Sequence, residues 1–282
     1  MQKIGKNVYV ETAYRGANCG FCVTGEGIVM VESPMVPEDA LKWRDVIARY
    51  GQVRYLINTE PHGDHFSGNS FFGGTVIGHE GTREAILASS VAQFKNMVKQ
   101  VAPDAPPLDE QFSFRPPTIT LSQRLTLHLG DHTVRLINMP GHTPYQVAVY
   151  LPEEKVVFTS DNVVNGHMPF MHQSLPFAWL EALTQLEQLD AEVYVPGHGE
   201  PCRRGYLAEM KAIVQGWIDA VTQAINGGLS LEQAQDRMLR MERFKPEAGS
   251  EGPMAARVPR DNIAHLYEVL GGAKKRQGDG PV

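Results

Sequence analysis

Asn58-Thr59-Glu60-Pro61-His62-Gly63-Asp64-His65-Phe66-Ser67-Gly68-Asn69 follows directly on an apolar run, Val53-Arg54-Tyr55-Leu56-Ile57. The run is rich in β-branched and aromatic residues and is closed by Asn, Pro and Gly, which predicts a strand ending where the longer stretch begins. Glu60, His62, Asp64 and His65 then share one short loop. Imidazole and carboxylate are the ligands that borderline divalent metals prefer, and folding alone gives no reason to crowd four of them at a strand end. In α/β sheets, ligands gather at the carboxyl ends of strands.

Three further motifs repeat the pattern of an apolar run followed by a ligand-type residue. Pro140-Gly141-His142-Thr143 carries His142, Phe158-Thr159-Ser160-Asp161-Asn162 carries Asp161, and Val195-Pro196-Gly197-His198-Gly199 carries His198. Between His142 and Asp161 there is room for a strand, a turn and a second strand. Glycine precedes Asp64 and His142 and flanks His198 on both sides, which lets the chain turn tightly around an ion.

Together these motifs resemble the His-x-His-x-Asp-His signature and ordered ligand set of the metallo-β-lactamase-fold hydrolases, with Glu60 standing at the first histidine. The resemblance runs from about Val8 to Pro201. It implies an α/β fold, a four-layer αββα sandwich, here with additional C-terminal helices. It also implies two divalent metal ions sharing a bridging hydroxide: Glu60, His62 and His142 at the first, Asp64, His65 and His198 at the second, and Asp161 between them. Zinc is the first expectation, with Mn2+ or Fe2+ drawn in by the hard carboxylate of Glu60. The implied activity is cleavage of an ester, lactone, thioester or amide of a small molecule, with Asp64 orienting the nucleophile and relaying a proton. Two other readings stay open: a one-iron oxidoreductase resembling the persulfide dioxygenases, and a β-lactamase with weak β-lactam hydrolysis. A non-catalytic binding protein fits poorly, because six of the seven family positions are intact and the seventh is still a ligand type.

Glu60 changes the charge of such a site. Two divalent ions bring four positive charges; Asp64, Asp161 and a shared hydroxide cancel three, and Glu60 cancels the fourth. A neutral site should raise the pKa of the bound water and hold anionic substrates less firmly than a site of charge +1.

Bulk properties set limits. A chain of 282 residues, 42% hydrophobic, can bury a full core. A net charge of −6 with both signs mixed along the chain offers no electrostatic attraction for a polyanion, so nucleic acid is not an expected partner. No uninterrupted apolar stretch is long enough to span a membrane. Asn7 to Thr12 opens directly as a strand pattern without a secretory signal, so the expected location is the cytoplasm. A homo-oligomer is allowed. Of the three cysteines, Cys19 and Cys22 form a Cys-x-x-Cys, read here as core of a strand because no second pair completes a zinc site.

The expected organisation is a catalytic domain over residues 1–205 and a helical extension over 206–282 packed on it. Pro37 opens a helix whose stripe is Ala40, Trp43, Ile47 and Tyr50, closed by Gly51. Gly81 to Val101 reads as one helix, and Thr118 to Asn138 as antiparallel strands. Met210, Ile213, Val214, Trp217 and Val221 recur at helical spacing, Leu229 to Met241 repeats this, and Asp261 to Leu270 forms a last short helix before a frayed tail. Pro246 to Pro253 reads as a linker.

The remaining candidates are less specific. His167 and His172 lie on the loop after Asp161 and could donate to a developing oxyanion; His172 and Tyr145, with Asp64, are the catalytic candidates. Met168, Phe170, Met171 and Phe177 could line an apolar pocket or pack in the core. His79, His128 and His132 read as solvated, and His265 as a packing or dimer residue.

Overall fold

The structure, a computed structural model, describes residues 1–106, 108–245 and 253–278. Seven strands form the first sheet in sequence order: β1 (Gln2–Lys3), β2 (Val8–Glu11), β3 (Cys19–Thr24), β4 (Gly27–Val31), β5 (Val53–Ile57), β6 (Thr75–His79) and β7 (Ile119–Leu121). Pairing is antiparallel up to β4 and parallel from β4 to β7. The second sheet has the order β12-β11-β10-β9-β8, from β8 (Arg124–Leu129), β9 (His132–Asn138), β10 (Val147–Leu151), β11 (Val156–Val164) and β12 (Val193–His198). Only β11 and β12 pair in parallel there.

Parallel neighbours need a crossover, and two of these crossovers are helices on the outer faces. Helix α1 (Pro37–Ile47) links β4 to β5, and its buried stripe Ala40, Trp43 and Ile47 packs on Phe21, Ile28, Met30 and Leu56 of the first sheet. Helix α5 (Pro176–Glu187) links β11 to β12 and buries Trp179, Leu183 and Leu186 against the outer face of the second sheet. Between the sheets lies a third apolar layer that includes Val8, Cys22, Val29, Ile57, Val134, Val149, Val156 and Phe158. The result is the expected αββα sandwich.

Strand β3 shows how tightly the layers mesh. Its alternation sends Cys19 and Phe21 to the α1 side and Cys22 to the inter-sheet side, so the two cysteines of the Cys-x-x-Cys face opposite ways and cannot chelate one ion. Gly20 also faces inward, where a Cβ would collide with the Phe158 ring. Gly20→Ala is therefore expected to cost about 1–3 kcal/mol by overpacking, read from the midpoint of urea unfolding.

Several local expectations are corrected. The segment 81–101 is two helices, α3 (Glu80–Ala88) and α4 (Val91–Val101), because Ser90 caps α4 by accepting from the Gln93 N–H. β7 leaves the antiparallel group and joins the first sheet beside β6, with Ile119 opposite Ile77. Asp64 and His65 sit not in open loop but in the one-turn helix α2 (Gly63–Phe66). At the C-terminus, α6 (Tyr206–Asn226), α7 (Leu231–Met238, with a capping box between Ser230 and Gln233) and α8 (Pro253–Gly278) follow. Met210, Trp217, Ala234, Ile263 and Leu266 from these helices share one core with α5. Helix α8 is longer than expected at both ends, and Pro246 to Gly252 of the expected linker lie outside the described residues. Among the described residues no helix is long and apolar enough to cross a membrane.

Candidate metal centre

The two ends of the ligand stretch are stapled together. Asn69 Nδ2 donates to Asn58 Oδ1 (2.7 Å), Asn58 Nδ2 donates back to Asn69 Oδ1 (3.1 Å), and Ser33 Oγ also donates to Asn69 Oδ1 (2.8 Å). All three residues are buried, so the amide pair fixes the path of the chain between β5 and α2. His142 comes from the turn between β9 and β10, where its backbone N–H donates to Asn162 Oδ1 (2.9 Å). Asp161 lies on β11 beside a register irregularity at Ser160, whose φ is 50°. Such a bulge turns one side chain out of the regular alternation. His198 ends β12, and Gly199 after it has a φ of 87° that a side chain would strain.

These elements bring all seven expected ligands together. Glu60 Oε2 stands 3.1 Å from His62 Nδ1 and 3.6 Å from His142 Nε2. Its other oxygen, Oε1, is 2.7 Å from His65 Nε2. Asp161 reaches three imidazoles: Oδ1 to His65 Nε2 at 3.4 Å, and Oδ2 to His198 Nε2 at 3.4 Å and His142 Nε2 at 3.7 Å. Asp64 Oδ2 lies 3.3 Å from His198 Nε2. Three overlapping trios result: Glu60, His62 and His142; Asp64, His65 and His198; and Glu60, His65 and Asp161. The third trio shows Glu60 spanning both sides of the cluster, whereas the sequence suggested it for one side only.

The donors suit cations rather than each other. Both Glu60 oxygens, His65 Nε2 and Asp161 Oδ1 are buried without a hydrogen bond of acceptable alignment, although each has a neighbour within reach. Leaving such groups unsatisfied is costly, and lone pairs converging on shared space are what divalent ions resolve. The residues present fit metal ions of the zinc, manganese or iron class.

Electrostatics agree. Burial alone would push the Glu60 carboxyl up, but His62, His65 and His142 outweigh it and hold it well below the carboxylate range. Burial likewise opposes charge on His62 and His198, yet Glu60 raises His62 to about 9 and Asp161 with Asp64 raises His198 to about 10. Without ions, protons do the neutralising. His142 goes the other way, lowered by its burial. His62, Asp64 and His198 keep side-chain exposures of 22%, 27% and 27%, while Glu60 has none. The cluster therefore opens to solvent between those three residues.

A supporting layer had no sequence signal. Glu32, buried at the end of β4 with a φ of 59°, accepts from the Thr59 N–H (3.1 Å) and hydroxyl, and lies 3.2 Å from His65 Nδ1. It orients His65 with Nε2 pointing into the cluster, as second carboxylates do for metal-bound histidines. A left-handed glutamate persists only where its surroundings hold it. Glu32→Ala is expected to weaken metal affinity by about 10–100-fold, measured by competition with a chromophoric chelator. Trp179 Nε1 donates to the Asn162 carbonyl (2.9 Å), tying the His142 turn to α5.

The weaker candidates separate. His172 stacks on His62 (5.1 Å between centroids) and on Phe170 (3.9 Å), and burial with the nearby imidazoles lowers its pKa to about 4. His167 lies edge-on to His198 at 6.2 Å. Tyr145 is exposed and stacks on His79 at 5.3 Å. Met171 is core, Phe177 is exposed, and His265 Nε2 bonds the Ser174 carbonyl at 2.8 Å as a packing contact. His132 is not solvated: it is buried, with Glu154 and Asp131 at its two ring nitrogens, because β9 starts under the turn that follows β10.

Comparison with known proteins points the same way. The profile of the Metallo-beta-lactamase superfamily matches residues 14–198. A hydroxyacylglutathione hydrolase from Rhodobacter capsulatus is 27% identical over 177 residues, 61% of this chain and 59% of that one. A linear primary-alkylsulfatase from Pseudomonas sp. is 26% identical over 95 residues, 32% of this chain and 18% of that one. This chain thus aligns with less than two thirds of the length of either. A metallo-β-lactamase family protein from Thermus thermophilus superposes with a TM-score of 0.66 at 19% identity, over 95% of this chain and 94% of that one. With a matching profile over more than half of its length and this fold, the chain belongs to the metallo-β-lactamase superfamily.

Proposed function

We propose that the protein is a two-metal hydrolase of a small ester-type substrate, with acyl thioesters and carboxylic esters as the leading class. The observation that carries this is the convergence of four imidazoles and three carboxylates with unpaired buried lone pairs on one opening. Glu60, His62, Asp64, His65, His142, Asp161 and His198 would hold the ions. Bound ions supply Lewis acidity and a water acidic enough to act as nucleophile near neutral pH. Asp64, partly exposed beside His198, would orient the attacking water and carry its proton to the leaving group. His172, neutral at pH 7, can donate a hydrogen bond to the substrate beside His62.

The surroundings favour a substrate with an apolar arm. Met97 of α4 lies 3.8 Å from where a Gly63 Cβ would stand, between His62 and Asp64. Phe170 covers His172. Leu175 and Phe177 are exposed at the start of α5, and the Leu175 N–H donates to the Gly141 carbonyl (2.8 Å) beside His142. The relatives named above fit this reading, since acyl-glutathione is a thioester and a linear alkyl sulfate carries an apolar chain.

The test begins with metal content by elemental analysis, followed by hydrolysis rates on acyl thioesters, carboxylic esters, lactones, a β-lactam and alkyl sulfates. At least two zinc or manganese ions per chain with metal-dependent thioester or ester cleavage is the expected result. One iron per chain with oxygen uptake would replace this reading by an oxidoreductase.

A further inference from the structure

We propose that Cys22, His132 and Glu154 form a second metal site, structural in role, that clips the two sheets together with a zinc-class ion. Cys22 comes from β3 of the first sheet. His132 opens β9 of the second, and Glu154 lies in the short turn Pro152–Glu154 after β10. One donor atom from each lies within 4.8 Å of the others. The site is separated from the metal centre by the length of β10: the Val147 N–H at its start donates to the Thr59 carbonyl beside the ligand stretch, and Glu154 follows its far end.

The pair His132 Nε2 and Glu154 Oε1 stands 2.9 Å apart, a hydrogen-bond distance that needs to open only to about 3.3 Å to match two ligands on one tetrahedral zinc. A zinc-bound sulfur would stand about 3–4 Å from them, so a small rotation of the Cys22 thiol completes three ligands, with the fourth place left for water. The supporting shell is also present. Asp131 Oδ1 lies 2.8 Å from His132 Nδ1, the carboxylate–histidine arrangement that fixes which ring nitrogen faces a metal. Asn7 holds Glu154 through its backbone N–H (to Oε2, 3.0 Å) and its Nδ2 (to Oε1, 3.0 Å).

Charge balance favours the exchange. In the metal-free state His132 shares a proton with Glu154, and burial keeps Cys22 a thiol. A divalent ion displaces two protons, one from His132 Nε2 and one from Cys22 Sγ, so the buried region gains no net charge. Thiolate and imidazole select zinc over calcium or magnesium. The ion would join strands of both sheets at a place where the Cys22 thiol makes a weak 3.9 Å hydrogen bond to the Val23 carbonyl.

The metal centre contains only nitrogen and oxygen donors, so a thiolate signal distinguishes the two sites. Full-length protein produced in cobalt-supplemented medium is expected to show a near-ultraviolet thiolate-to-cobalt charge-transfer band. Cys22→Ser and His132→Gln should each abolish the band and lower the cobalt content by one ion per chain. Cys19→Ser and Cys202→Ser should leave both unchanged. Absence of the band in cobalt-loaded wild-type protein, or a band that survives Cys22→Ser, overturns the proposal. The wild-type spectrum decides even if a variant fails to fold.

Discussion

Glu60→Gln is expected to lower kcat on the order of 10²-fold or more and to lower the metal content by about one ion per chain. Losing a mere outer partner of a metal ligand already costs about 10–100-fold, and Glu60 sits inside the cluster, fully buried, with one oxygen toward His62 and His142 and the other toward His65. The amide keeps the shape but removes one negative charge and one lone-pair donor. In molecules that keep both ions the site gains a unit of positive charge, so their remaining activity should show its acidic kinetic limb at lower pH than wild type. Elemental analysis and a pH–rate profile read both effects. A variant with full metal content and unchanged kcat would remove Glu60 from the ligand set.

Metal removal should be the second large effect, and its pH dependence has a definite sign. An ion at a free concentration of about 1,000 Kd stabilises the folded form by roughly 4 kcal/mol, which for a chain of this length corresponds to a melting shift on the order of 10 °C. In the stripped protein, His62 and His198 have folded-state pKa values of about 9 and about 10, above the ordinary imidazole value of about 6.5. Their contribution to stability is complete below that ordinary value and is lost as pH rises through 9 and then 10. The carboxyls of Glu60 and Asp161 are lowered and act oppositely, losing their contribution as pH falls below the carboxylate range. The melting temperature of stripped protein should thus fall between pH 7 and pH 10, while the metal-loaded form, whose ions have displaced these protons, holds steady. Differential scanning calorimetry of both forms across that range checks it; parallel curves would mean that protons and ions do not compete for this cluster.

The candidate ligand residues were legible because they follow closely on apolar runs, and several of them, Asp64, His142 and His198, have a glycine directly before them. Such signals span a few residues and survive without knowledge of the fold. The supporting residues were not legible, for the opposite reason. Nothing near Glu32 in the chain distinguishes it from any other acid at a strand end. Only the parallel pairing of β4 with β5, which sets Val31 opposite Ile57, brings it under Thr59 and His65. The break of residues 81–101 into two helices turned on a single serine cap that apolar spacing does not report.

His132 carries the clearest lesson. By sequence it is one polar residue in an alternating strand beside a turn, and solvent is the natural expectation. The structure buries it because β10 returns the chain so that Glu154 lies against it, and because the first sheet sets Cys22 within reach. Order along the chain was enough to determine the layered α/β class and to single out the seven His, Asp and Glu side chains that converge, since apolar runs and glycine turns are short-range properties. Which carboxylate faces two sides of the cluster, which acid steadies His65 and whether a distant thiol meets an imidazole were decided only by the packing of one sheet on the other. That packing depends on pairings between residues tens of positions apart, which no local pattern encodes.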